Sequence, residues 1–88
     1  MTRDRFKSEL SIRGGQFDFQ TDRHEGMIGI NPSSIVIWVD DISADGDEPK
    51  YIGEFKDVDE LLEEFKVDGE SFATNVLPKI IKLNMLLT

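Results

Sequence analysis

The sequence has no cysteine, and it contains only one histidine, one tryptophan and three prolines among its 88 residues. Without thiols the chain can form neither a disulfide framework nor a cysteine-ligated zinc site, and it offers no cysteine nucleophile. Its stability must therefore come from a hydrophobic core, which in a chain of this size buries only about 60–65% of the unfolded surface.

Long apolar runs are also missing. The longest run, residues 35–39, has five residues, whereas a membrane-spanning helix needs about 20. Residues 1–5 are mostly polar or charged, and no apolar stretch typical of a secretory signal follows them. We therefore expect a cytoplasmic protein with no membrane partner.

The residue types that usually carry catalysis are scarce or poorly placed. The single imidazole, His24, falls in a polar stretch between predicted strands, and the sequence contains no P-loop, dinucleotide fingerprint, nucleophile elbow or zinc-protease motif. Carboxylates are abundant, but most fall in predicted loops or on an exposed helix face, where burial cannot raise a pKa for general acid catalysis. The sequence therefore predicts a protein that is not an enzyme and binds no cofactor.

Negative charge is concentrated in one part of the chain. Residues 1–39 carry five basic and five acidic side chains, whereas residues 40–70 carry thirteen acidic residues and three lysines, a net charge of −10. Two further lysines give the overall net charge of −8. A coherent face of one sign accelerates encounter with an oppositely charged protein and repels the phosphates of nucleic acid. The alternative is that the acidic segment only keeps the protein soluble.

Strand-like patterns dominate the first two thirds of the sequence. Residues 5–21 predict a β-hairpin, because apolar and polar residues alternate on both sides of a Gly-Gly turn at 14–15. Further strands are predicted over 27–30, 35–39 and 51–55. The run 35–39 is apolar throughout, which is typical of a central strand covered on both faces and predicts that Trp38 lies in the core.

A first helix is predicted after these strands. Asp57 and Glu60 have the spacing of a capping box, and the apolar residues that follow recur at helical intervals. Asp68 and Gly69 are expected to end this helix, because glycine adopts the left-handed conformation common at C-caps.

Helical spacing over Glu70 to Leu87 predicts a second helix, which Pro78 should kink or split. The resulting fold class is α+β. We expect a single domain over 1–88, in which an antiparallel β-meander of about five strands is followed by two C-terminal helices packed on the sheet.

One acidic loop matches part of a calcium-binding pattern. Asp41, Asp45 and Asp47 occupy positions 1, 5 and 7 of an EF-hand-like loop. Position 12, which should be a bidentate glutamate, is Ile52, and the flanking segments predict strands rather than helices. An ordinary acidic turn explains the same residues, because aspartate favours turns. The sequence therefore predicts no metal site, and these three aspartates are the candidate ligands for the calcium alternative.

These features favour a small acidic protein-binding module, of the inhibitor, immunity or anti-defence type that phages and bacteria encode. Its acidic face would bind a basic partner, for example a nucleic-acid-processing enzyme, with carboxylates in place of phosphates. The predicted contact residues are Asp40, Asp41, Asp45, Asp47, Glu48, Glu54, Asp59, Glu60, Glu63 and Glu64. The alternative is an assembly module that forms homo-oligomers through its sheet, or a homodimer through its C-terminal helix, while the acids serve solubility.

Overall fold

The computed structural model describes residues 1–13, 15–42 and 50–87 of the chain. Their elements are α1 (Arg3–Arg13), β1 (Gly15–Gln20), β2 (His24–Ile30), β3 (Ile35–Asp41), β4 (Tyr51–Phe55), α2 (Val58–Glu64), β5 (Lys66–Val67), β6 (Glu70–Ser71), α3 (Phe72–Asn75), a 3₁₀ turn (Leu77–Lys79) and β7 (Lys82–Leu87). The chain is therefore an α+β protein, as the sequence predicts.

Five of the strands form one antiparallel sheet in the order β4-β3-β2-β1-β7. Strands β1 to β4 form a meander, because each pairs with the next strand in the sequence. β7 returns along the outer side of β1, where Phe17 lies opposite Met85 and Phe19 lies opposite Leu83. The short strands β5 and β6 form a separate hairpin. The predicted five-stranded antiparallel sheet is confirmed, although one of its strands comes from a different part of the chain.

The helices cover one face of this sheet. Phe72 of α3 is fully buried, and its ring centroid lies 5.6 to 6.2 Å from those of Phe6, Phe19 and Phe65. Tilted and edge-to-face ring pairs of this kind stabilise a core beyond the burial of their apolar area. α1, β1 and the end of α2 thus meet α3 in one hydrophobic core.

The N-terminal segment is helix α1, whereas the sequence predicts a strand there. Phe6 and Leu10 are buried, but Ser8, which a strand would place on the same face, is exposed. Residues four apart share one face of a helix, so these two apolar side chains satisfy either period. The N–H of Arg5 donates to the Thr2 hydroxyl (3.2 Å), which caps the first turn. The predicted first strand is wrong because its alternation is equally compatible with a helix.

The predicted second helix is not confirmed. Segment 70–87 instead contains β6, the single turn of α3, the 3₁₀ turn and β7. Pro78 lies within the 3₁₀ turn, so it interrupts no continuous helix. Strand pairing decides this outcome, because β7 completes the sheet beside β1 while Leu83 and Met85 pack against the core.

Among the described residues, no helix has the length and apolar character needed to cross a bilayer.

Helix α2 begins as the capping box predicts, because Oδ1 of Asp57 accepts from the N–H of Glu60 (2.8 Å). Glu60 in turn accepts from the N–H of Lys56 (3.3 Å). The helix ends earlier than predicted. Asp68 and Gly69 form the turn between β5 and β6, with φ angles of 54° and 86°, and two successive positive φ angles are typical of a type I′ hairpin turn.

Candidate interaction surface

The face of the sheet opposite the helices forms an open face, because none of the described helices packs on it. Trp38 of β3 lies opposite Met27 of β2 on one side and Ile52 of β4 on the other. Trp38 is 44% exposed and Ile52 is 66% exposed. An apolar row therefore crosses three adjacent strands of the open face.

Two sequence predictions about β3 are corrected by this arrangement. Ile37 and Val39 are buried, but Trp38 between them lies on the open face rather than in the core. β3 is also the second strand of the sheet, and β2 holds the centre. An unbroken apolar run is typical of a strand covered on both faces. Here the sheet is covered on one face only, and Trp38 is exposed on the other. Clustered exposed apolar side chains commonly mark an interaction site.

A groove of about 480 Å³ lies over β1 and β2 on the open face. Trp38 lines it from β3, and Leu86, which is 45% exposed, lines it from β7. Its charged lining residues are three acids and one base, namely Asp18, Glu25, Asp40 and Lys82. The groove therefore combines an aromatic side chain with an excess of negative charge.

Asp18 has an unusual environment within this groove. It lies on β1, opposite Met27 on one neighbouring strand and Asn84 on the other. Its Oδ1 atom is buried, and no residue in the described part of the chain donates a hydrogen bond to it. An unpaired buried acceptor costs about 1–3 kcal/mol. The rest of the Asp18 side chain is half-exposed and lines the groove, where it adds negative charge.

Helix α1 neutralises part of the acidic surface of α2. Arg3 donates to Oε1 of Glu63 (2.6 Å) and lies 3.5 Å from Oδ1 of Asp59. Lys7 donates to Oδ2 of Asp59 (2.9 Å). The hydrogen bond to Glu63 raises the pKa of Arg3, and the hydrogen bond from Lys7 lowers the pKa of Asp59 below its usual range. Two predicted contact residues, Asp59 and Glu63, therefore face the protein's own basic helix.

The other predicted contact residues lie in several places. Asp40 and Glu54 belong to the open face, where Glu54 accepts from the Ser34 hydroxyl (2.9 Å). Glu60 and Glu64 belong to α2, on the opposite side of the sheet. The structure therefore does not bring the described acidic residues of segment 40–70 together into one surface.

The calcium alternative depends on residues that the structure describes only in part. Asp41 ends β3, whereas Asp45, Asp47 and Glu48 lie outside the described residues. Within residues 1–13, 15–42 and 50–87, no group of three potential ligands is suited to hold a metal ion. The calcium alternative therefore stays a prediction.

A polar cluster that the sequence does not predict lies at one end of the sheet. His24, predicted in a polar loop, starts β2 and is only 3% exposed. Its Nε2 atom lies 3.0 Å from Oδ2 of Asp68. The Tyr51 hydroxyl donates to Oδ1 of Asp68 and accepts from the N–H of Asp68 (3.2 Å). These hydrogen bonds attach the β5–β6 turn to the sheet.

The electrostatics of this cluster favour a charged Asp68. The hydrogen bond from Tyr51 is the main cause that lowers the pKa of Asp68, and His24 and Lys50 act in the same direction. The imidazole of His24 is only 4% exposed and its Nε2 is engaged by the carboxylate. The cluster therefore holds the β5–β6 turn against the sheet.

Comparisons of the chain with protein-family models, with curated proteins and with solved structures found no match. The geometry described above places the chain in the broad class of α+β proteins with one helix-covered and one open sheet face. Its role must therefore be inferred from what the open face presents.

Proposed function

We propose that this chain is a non-enzymatic acidic protein-binding module of the inhibitor or immunity type. It binds a basic protein partner, such as a nucleic-acid-processing enzyme, through the open face of its sheet. The observation that carries this proposal is the apolar row of half-buried Met27 and exposed Trp38 and Ile52, beside a groove with excess negative charge.

The apolar row matches the anatomy of a protein interface. Interfaces have an apolar centre, enriched in tryptophan, tyrosine and methionine, surrounded by a polar rim. A few central aromatic residues carry most of the binding energy. Trp38 has such a central position, because strands lie on both sides of it and carboxylates such as Asp40 and Glu54 surround it. The apolar row of the open face can therefore supply affinity, and the surrounding carboxylates can select a positively charged partner.

The sign of the charge favours a basic protein over nucleic acid or a second copy. The chain has a net charge of −8, so phosphates are repelled, and two copies repel each other at long range. A basic partner is instead attracted, which accelerates association most at low ionic strength. The carboxylates of the open face, rather than α2, supply this attraction because helix α1 pairs with part of the α2 surface.

A non-enzymatic role is consistent with where the titratable side chains lie. His24 is buried and engaged with Asp68. The groove contains three carboxylates together with Lys82 and Trp38. This combination is suited to recognising a charged side chain. Binding through the open face accounts for these side chains without a chemical step.

Site-specific photocross-linking tests the proposal. Benzoylphenylalanine replaces Ile52 on the open face, Glu64 on α2 or Lys79 on the 3₁₀ turn, all of which are exposed. Each variant is irradiated in an extract of the source cells, and adducts are identified by mass spectrometry. We expect one basic protein to be captured at position 52, more efficiently at low salt, and not at position 79. Capture at 64 alone would assign binding to α2, and equal capture at 52 and 79 would refute a specific face.

The second candidate is an assembly module that forms homo-oligomers. It is favoured by β7, which is an edge strand of the sheet and carries the exposed Leu86. Edge strands present unpaired backbone groups that can pair with another chain. The predicted dimer contact thus moves from a helix to a strand. Sedimentation of the protein and of Leu86→Lys decides the matter, because a dimer that the substitution dissociates supports assembly and a monomer at all concentrations contradicts it.

A further inference from the structure

We propose that the groove beside Trp38 binds an arginine side chain of the partner protein. The guanidinium stacks on the indole of Trp38 and bonds to the carboxylates of Asp18 and Asp40. This inference rests on the proposed function, because it names the chemical group that the open face recognises.

The groove carries an excess of negative charge. Asp18, Glu25 and Asp40 line it together with one base, Lys82. In the described part of the chain, neither Lys82 nor any other base forms an ion pair with Asp18 or Glu25. The excess of carboxylates is therefore not balanced from within the groove, and a cationic side chain from outside complements it.

Trp38 favours a cation that also has a flat, weakly hydrated surface. Tryptophan is the best aromatic partner for cations, because its ring face is electron-rich. A guanidinium stacks on such a ring, whereas an ammonium acts as a compact and strongly hydrated charge. The 44% exposure of Trp38 leaves part of its ring available. The open face therefore favours arginine over lysine.

The hydrogen-bonding capacity of the groove fits a donor with several N–H groups. Oδ1 of Asp18 is buried, so a ligand meets only the exposed part of this side chain, which lines the groove. Oδ1 of Asp40 accepts from the N–H of Asp41 (2.9 Å), and no residue within the described ranges donates to its second oxygen. A guanidinium carries five N–H donors in a rigid fork and can serve two carboxylates at once. Arginine therefore suits both the carboxylates that line the groove and the exposed ring of Trp38.

Peptide titration tests this inference directly. The probe is a nonapeptide whose only charged group is one central arginine, and its control carries citrulline, which has nearly the same shape without the charge. Trp38 is the only tryptophan, so its fluorescence and its indole N–H resonance report on the groove. We expect the arginine peptide to bind about tenfold more tightly than the citrulline peptide, as one charge-assisted hydrogen bond would give. The lysine peptide should fall between them.

Substitutions in the groove show which carboxylates cause the preference for the arginine peptide. Asp18→Asn and Asp40→Asn keep the shape of each side chain, and each should abolish most of the preference for arginine over citrulline. Glu64→Gln removes an exposed acid from α2 and should leave that preference unchanged. Equal affinity for the arginine and citrulline peptides, or an arginine preference that survives both groove substitutions, would overturn the inference. If photocross-linking at position 52 still captures a partner in that case, the proposed function stands and only the arginine assignment fails.

Discussion

Gly26 lies directly against the backbone of Trp38, because a Cβ atom at Gly26 would approach the Trp38 carbonyl oxygen to 2.1 Å. The same Cβ would lie 2.7 Å from the ring of Phe19. No rotamer change relieves a clash with backbone. The absence of a side chain at Gly26 therefore allows β2 and β3 to pair where Trp38 is presented on the open face.

Gly26→Ala should lower the free energy of unfolding by about 3 kcal/mol, the upper range for overpacking. Gly29→Ala on the same strand is the matched control, because a Cβ there meets nothing within 4 Å. That control should change the free energy of unfolding by less than about 0.5 kcal/mol. Urea denaturation followed by Trp38 fluorescence measures both, and equal effects would contradict the close approach at Gly26.

Helix α1 can be distinguished from the strand that the sequence predicts. Phe6→Ala should lower the free energy of unfolding by about 3–5 kcal/mol, because Phe6 is fully buried. Ser8→Lys should cost less than about 0.5 kcal/mol, because Ser8 is exposed on the helix. In a strand both side chains would point to the core and both substitutions would be damaging. Chemical denaturation of the two variants therefore decides which element is present.

Asp68 should make stability depend on pH in the acid range. Its pKa is lowered in the folded protein, first by the Tyr51 hydrogen bond, so the unfolded state binds the proton at a higher pH. The contribution of Asp68 is therefore fully present above the ordinary aspartate pKa of about 3.9 and is lost as pH falls through the lower folded value. Asp68→Asn should flatten this part of the stability curve and cost about 1 kcal/mol at pH 7.

Two controls accompany the Asp68 measurement. Asparagine tolerates the positive φ of 54° at this position, so the backbone turn is retained. Asp22→Asn changes an exposed aspartate in the loop before β2 and serves as the matched control for the substitution itself. An Asp68→Asn curve parallel to that of the original protein between pH 2 and pH 5 would show that the cluster does not depress the pKa of Asp68.

The pairing of Arg3 with Glu63 should be measurable as a salt-dependent coupling. Both side chains are more than 40% exposed. The ion pair therefore contributes little to the free energy of unfolding, and added salt screens it. We expect a double-mutant cycle of Arg3→Gln and Glu63→Gln to give a favourable coupling free energy at low salt that shrinks at high salt. A cycle that shows no coupling in low salt would mean that α1 leaves the acidic surface of α2 unneutralised.

Much of the fold could be predicted because local signals agree with the tertiary structure. Strands β3 and β4 coincide closely with predicted strands, β2 begins three residues earlier than predicted, and the second strand of the predicted hairpin corresponds to β1. The capping box at Asp57 predicts the start of α2 because its hydrogen bond is local. Gly15, predicted as part of a turn, has a φ of 82° at the start of β1.

The elements that the sequence analysis missed depend on contacts distant in sequence. The pattern over 82–87 is ambiguous by itself, and it becomes a strand because β1 provides an edge to pair with. His24 looks polar and exposed in the sequence, but Asp68, forty-four residues later, provides its partner. A local sign did exist, because the hydroxyl of Thr21 accepts from the N–H of His24 (2.9 Å) and starts the turn into β2.

The candidate site was predictable only in its charge. An acidic surface could be expected from the composition, but the open face depends on which side of the sheet the helices cover. That choice is made by Phe72 and the rings around it, which lie on the covered side. Trp38 is exposed as a consequence, although its own neighbours in the sequence are apolar.

The pairing of β1 with β7 also bears on how the chain folds as it is synthesised. Gln20 and Lys82 lie side by side in the sheet but far apart along the chain. Pairing them closes a long loop, which costs conformational entropy, so we expect β1 and β7 to pair late in folding. Until the ribosome has released residues 82–87, β1 is an unprotected edge on a nascent meander, and intermolecular pairing competes with completion of the sheet.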